Sequence, residues 1–417
     1  MNQNIKRHVP LFVLLLLQFP LLSNIMALAS KLFPALLTLK LNSFGDFRQQ
    51  VLCVYTAHGI NPYAPTEVLP DIGPITEGFA TSPWGLTLGN IFYPAFIPIE
   101  YGCLYMTLFS LIMLWITCFI LVGYFKPLWK DYDACIIWTS ALLFTSASMW
   151  MSILNRNASC IIACLIIISI IYSDSKPLMS GILLGFAMIK PQMCGLVCLI
   201  FLFEKKIKPL IIAAAIDICG YITTCTLLKE DPITLFIQFM NSDVGVVKGD
   251  AEPYYGIFSF LIPYGVDNSI ITICSAVVGI ATTSISYALL KKKNIENFRI
   301  KTLLLFSPAL ICSHIWAYGW NLDKGTLVPV VVFLASIFIH VDKMKTVSLL
   351  GYGAAMLAPS AYYVIHKALH RVSYWSGMAG GICAFASLIT IMILFNNHTF
   401  INELNEKFPK ENQNAVS

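Results

Sequence analysis

Charge is what this sequence has least of. Only 12% of its 417 residues are charged, against 57% hydrophobic, whereas soluble globular chains carry about 25% charged and about 45–50% apolar residues. A folded surface needs polar cover, so the shortage excludes a soluble fold of this size and leaves no separate soluble domain. The thirteen cysteines include no CxxC pair. Cys160/Cys164 and Cys194/Cys198 are four apart inside apolar runs, where cysteine acts as a small hydrophobe. No histidine cluster supplies zinc-like spacing, so no metal is expected. GxGxxG, a Walker loop, GxSxG and HExxH are all missing, which removes the common soluble nucleotide-binding, hydrolase and metalloprotease chemistries. No internal repeat is visible, which counts against an inverted-repeat carrier. The net charge of +5 speaks of membrane orientation and of no nucleic-acid partner.

What the chain has in abundance is apolar length. Segments near 9–30, 102–125, 134–153, 158–172, 178–203, 209–228, 269–290, 302–318, 326–340, 346–365 and 375–396 approach or exceed what ~30 Å of hydrocarbon requires. Residues 9–30, interrupted by Gln18, Pro20 and Asn24, are read as a retained first helix rather than a cleaved leader. The expected fold is all-α: one polytopic membrane domain over 1–417, a bundle of about 11–12 helices with a long first outer loop at 42–101. Within it, 9–340 forms the core, 346–396 the last helices and 397–417 a tail.

The basic residues set the expected orientation. Lys6/Arg7, Lys126/Lys130, Lys176, Lys205/Lys206/Lys208, Lys291–Lys293 with Arg299/Lys301, and Lys343/Lys345 mark cytoplasmic ends. The loops between them are acidic: Glu67, Asp71 and Glu77 in one, Glu230, Asp231, Asp243, Asp250 and Glu252 in another. Both termini are therefore expected in the cytoplasm. Segment 178–203 breaks the alternation unless it is split at Lys190-Pro191, because proline disfavours helix at the residue before it. Non-helical backbone at membrane depth survives where it lines a protein cavity. Lys190 is thus expected either at a site or, as a kinked helix would have it, snorkelling to the surface.

The first outer loop is rich in aromatics and prolines. Phe47, Val51, Val54 and Tyr55 recur at helical spacing, which predicts an amphipathic helix over 46–58 with Asp46 either capping it or acting as a base. In 307–324, His314 and Tyr318 are four apart and would share a helical face. Asp217 is an acid inside an apolar run, a costly placement that makes it suspect as functional.

Four patches, in order, resemble the GT-C superfamily of membrane glycosyltransferases and within it glycosyltransferase family 87, typified by polyprenyl-phosphate-mannose-dependent mannosyltransferases. They are Gly45-Asp46…Tyr55…Gly59-Ile60-Asn61-Pro62-Tyr63, the FATSPW of 79–84, Asn155–Asn157 followed by Gly181…Gly185…Lys190-Pro191, and Ser307-Pro308…His314…Tyr318. FATSPW lacks the family's double proline, and Leu154-Asn155 stands where a glycine–glutamine pair is commoner. The resemblance implies transfer of mannose or another sugar from a polyprenyl-phosphate donor to an envelope glycolipid or glycan, on the extracytoplasmic face of a bacterial inner membrane, without a cofactor. It makes Asp46 the general base. Lys190, His314 and Arg156 would hold the donor phosphate; Arg48, Tyr55, Asn61, Tyr63, Asn155, Gln192 and Tyr318 would line the substrate site. The alternatives are a carrier or flippase for lipid-linked sugars, or an envelope polysaccharide polymerase.

Overall fold

The structure is a computed structural model that describes residues 49–70, 75, 82–129, 131–144, 146–241, 261, 264–266, 268–314, 321–369 and 374–411. Among these residues there is no strand. The helices are α1 (Gln50–Ala57), α2 (Pro83–Leu88), α3 (Ile99–Phe125), α4 (Tyr132–Phe144), α5 (Ala147–Leu154), α6 (Ser159–Tyr172), α7 (Pro177–Ala187), α8 (Pro191–Phe203), α9 (Ile207–Leu228) and α10 (Pro232–Asn241). They continue as α11 (Asn268–Lys291), α12 (Phe298–Cys312), α13 (Val328–His340), α14 (Lys345–Leu369), α15 (Tyr374–Asn396) and α16 (His398–Lys407).

Five stretches among the described residues are long and apolar enough to cross a bilayer: Leu104–Leu128, Ile207–Leu228, Ile273–Lys291, Asp323–His340 and Met378–Asn396. A sixth forms if α4 and the helix after it, which meet at 48°, count as one bent span. The chain is an all-α polytopic membrane protein. Segment 9–30 lies outside the described residues. Segment 178–203 divides as proline dictates, into an 11-residue helix and a 13-residue helix on either side of Met188–Lys190. At 1.5 Å per residue neither half alone crosses ~30 Å of hydrocarbon.

The chain forms two compact units. The first, Phe33–Met113 with Ser152–Glu252, is organised around α9. Gly181 and Gly185 on α7, four apart, let the two helices approach closely. A Cβ on Gly181 would lie 2.7 Å from both Ile212 Cβ and Pro209 O, and one on Gly185 would lie 3.0 Å from Ile216 Cβ. This is the small-residue contact expected where lipid offers no hydrophobic drive and packing must supply the attraction. On another side α2 is tied to α9 by Thr87 Oγ1 donating to Gly220 O at 2.8 Å and Thr224 Oγ1 donating to Pro83 O at 2.9 Å. Helix α6 meets α7 through Ser180 Oγ, which donates to Ser169 O at 2.8 Å. The helix expected over 46–58 is present at Gln50–Ala57, buried round most of its circumference. Gln50 Nε2 anchors it to Pro94 O at 2.6 Å and Ile97 O at 2.5 Å.

The second unit comprises Met1–Leu32, Leu114–Met151 and Pro253–Ser417. Its largest helix pair is α14 with α15, again in close approach, with Thr390 Cγ2 only 2.5 Å from where a Gly351 Cβ would stand. The C-terminal α16 buries Phe400, Ile401 and Leu404 and ties down two connections. Glu403 accepts from the Asp342 and Lys343 amides at 3.0 and 2.8 Å. Asn405 Nδ2 donates to Asn294 O at 2.9 Å. Beyond the helix, Glu411 receives a bidentate bond from Arg299 at 2.8 and 3.1 Å, and Arg299 also donates to Tyr124 O at 2.8 Å.

Candidate functional site

The break between α7 and α8 is built by one residue. Pro191 has no amide to donate and forces Lys190 out of the helical basin, to φ −112° and ψ 80°. Met188 N and Lys190 N still close on α7, at 2.9 Å to Leu184 O and 3.1 Å to Ala187 O, and Lys190 O accepts from Met193 N at 3.0 Å. Thus Lys190 ends one helix and caps the next, and its ammonium is directed by neither.

That ammonium reaches the connection between α5 and α6. Lys190 Nζ donates to Asn157 Oδ1 at 2.8 Å and to Ser159 Oγ at 2.6 Å. Asn157 Oδ1 also accepts from Ser159 N at 2.9 Å and Ser159 Oγ at 2.6 Å. The turn itself is a six-to-one helix ending: Asn157 N bonds Ser152 O at 2.8 Å and Arg156 N bonds Ile153 O at 3.1 Å. Such an ending puts one residue in the left-handed region, usually glycine. Here it is Arg156, at φ 52° and buried. Ser152 Oγ locks the turn by donating to Asn157 O at 2.7 Å while accepting from Cys160 N at 2.7 Å.

Two aromatic residues of the 82–98 segment complete the arrangement. Trp84 Nε1 donates to Met188 O at 2.9 Å, and Tyr93 OH accepts from Ala158 N at 2.9 Å. Residues 82–84, 93, 155–159 and 188–191 therefore meet, all in the first unit. The starts of α6 and α8 are both at this point, and helix N-termini carry partial positive charge. With the half-buried Lys190 between them, its Nζ held by Asn157 Oδ1 and Ser159 Oγ, the locus suits an anion such as a phosphate.

The other expected site residues fall in three places. Asn155 and Arg156 flank Asn157, and Gln192 follows Lys190 by two, so the structure gathers these with the lysine. Tyr55, Asn61 and Tyr63 belong to a separate cluster in the same unit. Asn61 Nδ2 donates to Gln238 Oε1 at 2.6 Å and to Glu230 Oε1 at 3.3 Å, while its Oδ1 accepts from Tyr63 N at 3.0 Å. Tyr63 meets Phe239 edge-on at 5.4 Å between ring centroids, and Tyr55 OH accepts from Leu69 N at 3.2 Å. Burial pushes the Tyr63 hydroxyl well above its usual value of 10.0. Asp46, Arg48 and Tyr318 lie outside the described residues.

His314 is in the second unit. The helix expected to carry it ends at Cys312, and Ser313 and His314 turn off it, so His314 is not on that helix. His314 is buried, with Nε2 3.0 Å from Thr326 Oγ1. Sequence reading missed its neighbour Lys324, a fully buried lysine whose Nζ donates to Ala358 O at 3.2 Å. The ammonium fits only because residue 380 is glycine; a Cβ there would be 2.5 Å from Nζ. Placed just before an apolar run, Lys324 reads in sequence as an ordinary loop-end lysine. Asp217, midway along α9, has its Oδ1 buried with no hydrogen-bond partner among the described residues. Among the described residues no three His, Cys, Asp or Glu side chains gather as a metal ion would need.

A sequence model of glycosyltransferase family 87 matches residues 86–313, more than half of the chain. The match spans Tyr93, the Asn155–Ser159 turn and Lys190, and ends at Ser313, one residue before His314. No curated protein and no solved structure matches the chain.

Proposed function

The chain belongs to glycosyltransferase family 87 and is a membrane glycosyltransferase; from that premise we propose a donor, a base and a site. The donor is a polyprenyl-phosphate sugar, carrying mannose or another pentose or hexose, and the acceptor is a hydroxyl of an envelope glycolipid or glycan on the extracytoplasmic face of the inner membrane. The observation that supports this best is the ammonium of Lys190, held by Asn157 and Ser159 at the starts of two helices.

In the proposed reaction the acceptor hydroxyl gives its proton to the Asp46 carboxylate. Its oxygen forms a bond to the anomeric carbon from the face opposite the lipid phosphate. The bond from that carbon to the phosphate oxygen breaks, and the phosphate leaves with the electron pair, so the configuration inverts. Negative charge grows on the departing phosphate, and preorganised donors aimed at developing charge are worth most in a water-poor site. Lys190, with Arg156 beside it, would fill that role. Asn155 and Gln192 would contact the sugar or phosphate next to Lys190, whereas Tyr55, Asn61 and Tyr63, with Arg48 before them in the chain, would shape the outer loop around the acceptor. A phosphate leaving group needs no cofactor or metal for activation.

The experiment is a transfer assay with the protein in lipid nanodiscs. It offers radiolabelled polyprenyl-phosphate mannose and polyprenyl-phosphate arabinofuranose in turn, with extracted envelope glycolipid as acceptor. Label reaching the glycolipid from a lipid-phosphate donor is the expected result. Label that moves only from a nucleotide sugar would overturn the donor assignment.

A further inference from the structure

Helix α10, Pro232–Asn241, lies in an acidic outer loop where the sequence shows no span, yet it carries an apolar stripe that is exposed among the described residues. Ile233 is 73% exposed, Ile237 51% and Met240 59%, with Phe236 beside them. Their spacing of four and three residues puts them on one helical face. The opposite face is engaged: Leu235 is fully buried, Gln238 bonds Asn61, and Phe239 meets the Tyr63 ring. The helix is therefore amphipathic in an inverted sense for a soluble protein, with its polar and packed residues inward and its aliphatic ones outward.

What covers the stripe follows from what it joins. Helix α10 starts three residues after α9, a helix of bilayer-crossing length. The outward aliphatic side chains of α9, among them Ile211, Ile218 and Ile222, are exposed in the same manner. The connection is a tight ending, with Lys229 left-handed at φ 56° and Glu230 N bonded to Cys225 O at 3.1 Å. Asp231 then caps the new helix, Oδ1 accepting from Ile233 N and Thr234 N, both at 3.0 Å. Tyr221 OH on α9 donates to Pro232 O, holding the start of α10 against the spanning helix. The apolar surface of α10 is thus continuous with the lipid-facing surface of α9, at the end of a span where headgroups begin.

We infer that α10 is an interfacial helix whose Ile233, Ile237 and Met240 insert into the bilayer at headgroup depth. Through Gln238–Asn61 and Phe239–Tyr63 it transmits that depth to the Gly59–Tyr63 turn of the first outer loop, so the loop is fixed relative to the lipid surface. The partner is the phospholipid bilayer itself, and no feature of the transfer reaction is needed for the inference.

The test uses the full chain with a benzophenone amino acid at Ile237, at Met240 or at the exposed loop residue Glu67, reconstituted in vesicles of phosphatidylethanolamine and phosphatidylglycerol. After irradiation, mass spectrometry should find phospholipid adducts at 237 and 240, at least tenfold more than at 67. A cross-linked dimer at 237 would assign the stripe to a second copy of the chain and overturn the inference. Solvent adducts alone would overturn it as well. Because substitution could disturb the helix, Ile233→Glu in the chain labelled at 240 is a second measurement: it should cut the lipid adduct several-fold. An unchanged adduct would contradict insertion of the stripe. Neither readout depends on sugar transfer, so failure here is distinguishable from failure of the proposed reaction.

Discussion

Lys190 Nζ lies 2.8 Å from Asn157 Oδ1, across 33 residues of sequence, and this bond joins the two ends of the third patch of the resemblance. Removing the ammonium should act on the donor. Lys190→Ala is expected to lower kcat/KM for the polyprenyl-phosphate sugar by about 100-fold, within the range seen when one preorganised donor at developing charge is deleted. The acceptor KM should stay as in the wild type, and Lys190→Arg should restore part of the loss. Donor-concentration curves read this directly. Equal losses for donor and acceptor would make the lysine a structural tie.

Arg156 and Lys205 offer a matched comparison. Both occupy the left-handed position of a helix ending, at φ 52° and 55°; Arg156 is buried and Lys205 exposed. Glycine at such a position relieves a steric cost of roughly 1–2 kcal/mol, partly offset by the greater conformational entropy glycine gives the unfolded chain. Lys205→Gly should raise the melting temperature in detergent and leave transfer unchanged. Arg156→Gly should keep the fold but cost at least about tenfold in turnover, the worth of about 1.4 kcal/mol of transition-state stabilisation. Full activity of Arg156→Gly would remove it from the donor site.

The contact of α7 with α9 rests on bare glycine. Gly181→Val would place carbon atoms 2.7 Å or less from Ile212 Cβ and Pro209 O. Overpacking of this kind typically costs about 1–3 kcal/mol. The melting temperature should fall and transfer should fall with it. Gly123→Val is the control, since a Cβ there meets nothing within 4 Å.

Asp231 supplies a pH dependence with a definite sign. Its carboxylate is held below the usual range by the Thr234 hydroxyl and by the Thr234 and Ile233 amides. A depressed folded value stabilises the cap above the unfolded carboxylate pKa of about 3.9, and the gain disappears as pH falls through the lower folded value. The protection factors of 232–241, that is, exchange corrected for its intrinsic pH dependence, should therefore be steady from neutral pH down to about 4 and fall below it. Asp231→Asn, which also caps helices well, should flatten that acid response.

Much of the architecture was legible because local chemistry decides it. Proline at 191 compelled a break wherever the bundle placed it, and the spacing of Val51, Val54 and Tyr55 compelled a helix near 50–57. Charge asymmetry and apolar length were enough for a polytopic fold. The site was legible only as separated patches, since nothing in the sequence says that Asn157, Ser159, Trp84 and Tyr93 converge on Lys190. Lys324 was hidden because its burial depends on Gly380 and Ala358, residues distant in sequence that happen to leave room and an acceptor. Helix α10 was hidden for a different reason: ten residues are too short to read as a span, and its apolar side points the opposite way from that of a soluble helix.

The central claim is that an outer-loop carboxylate removes the acceptor proton while a lipid phosphate departs. Asp46→Asn tests it most directly, because it deletes a base at nearly constant volume. In nanodiscs, with wild-type melting behaviour confirmed, single-turnover transfer should fall by about 100-fold to 10,000-fold, the usual contribution of a general base, with donor binding preserved. Wild-type turnover by Asp46→Asn would contradict the account and remove Asp46 from the reaction; Gln49, not Asp46, is the N-cap of the helix that follows.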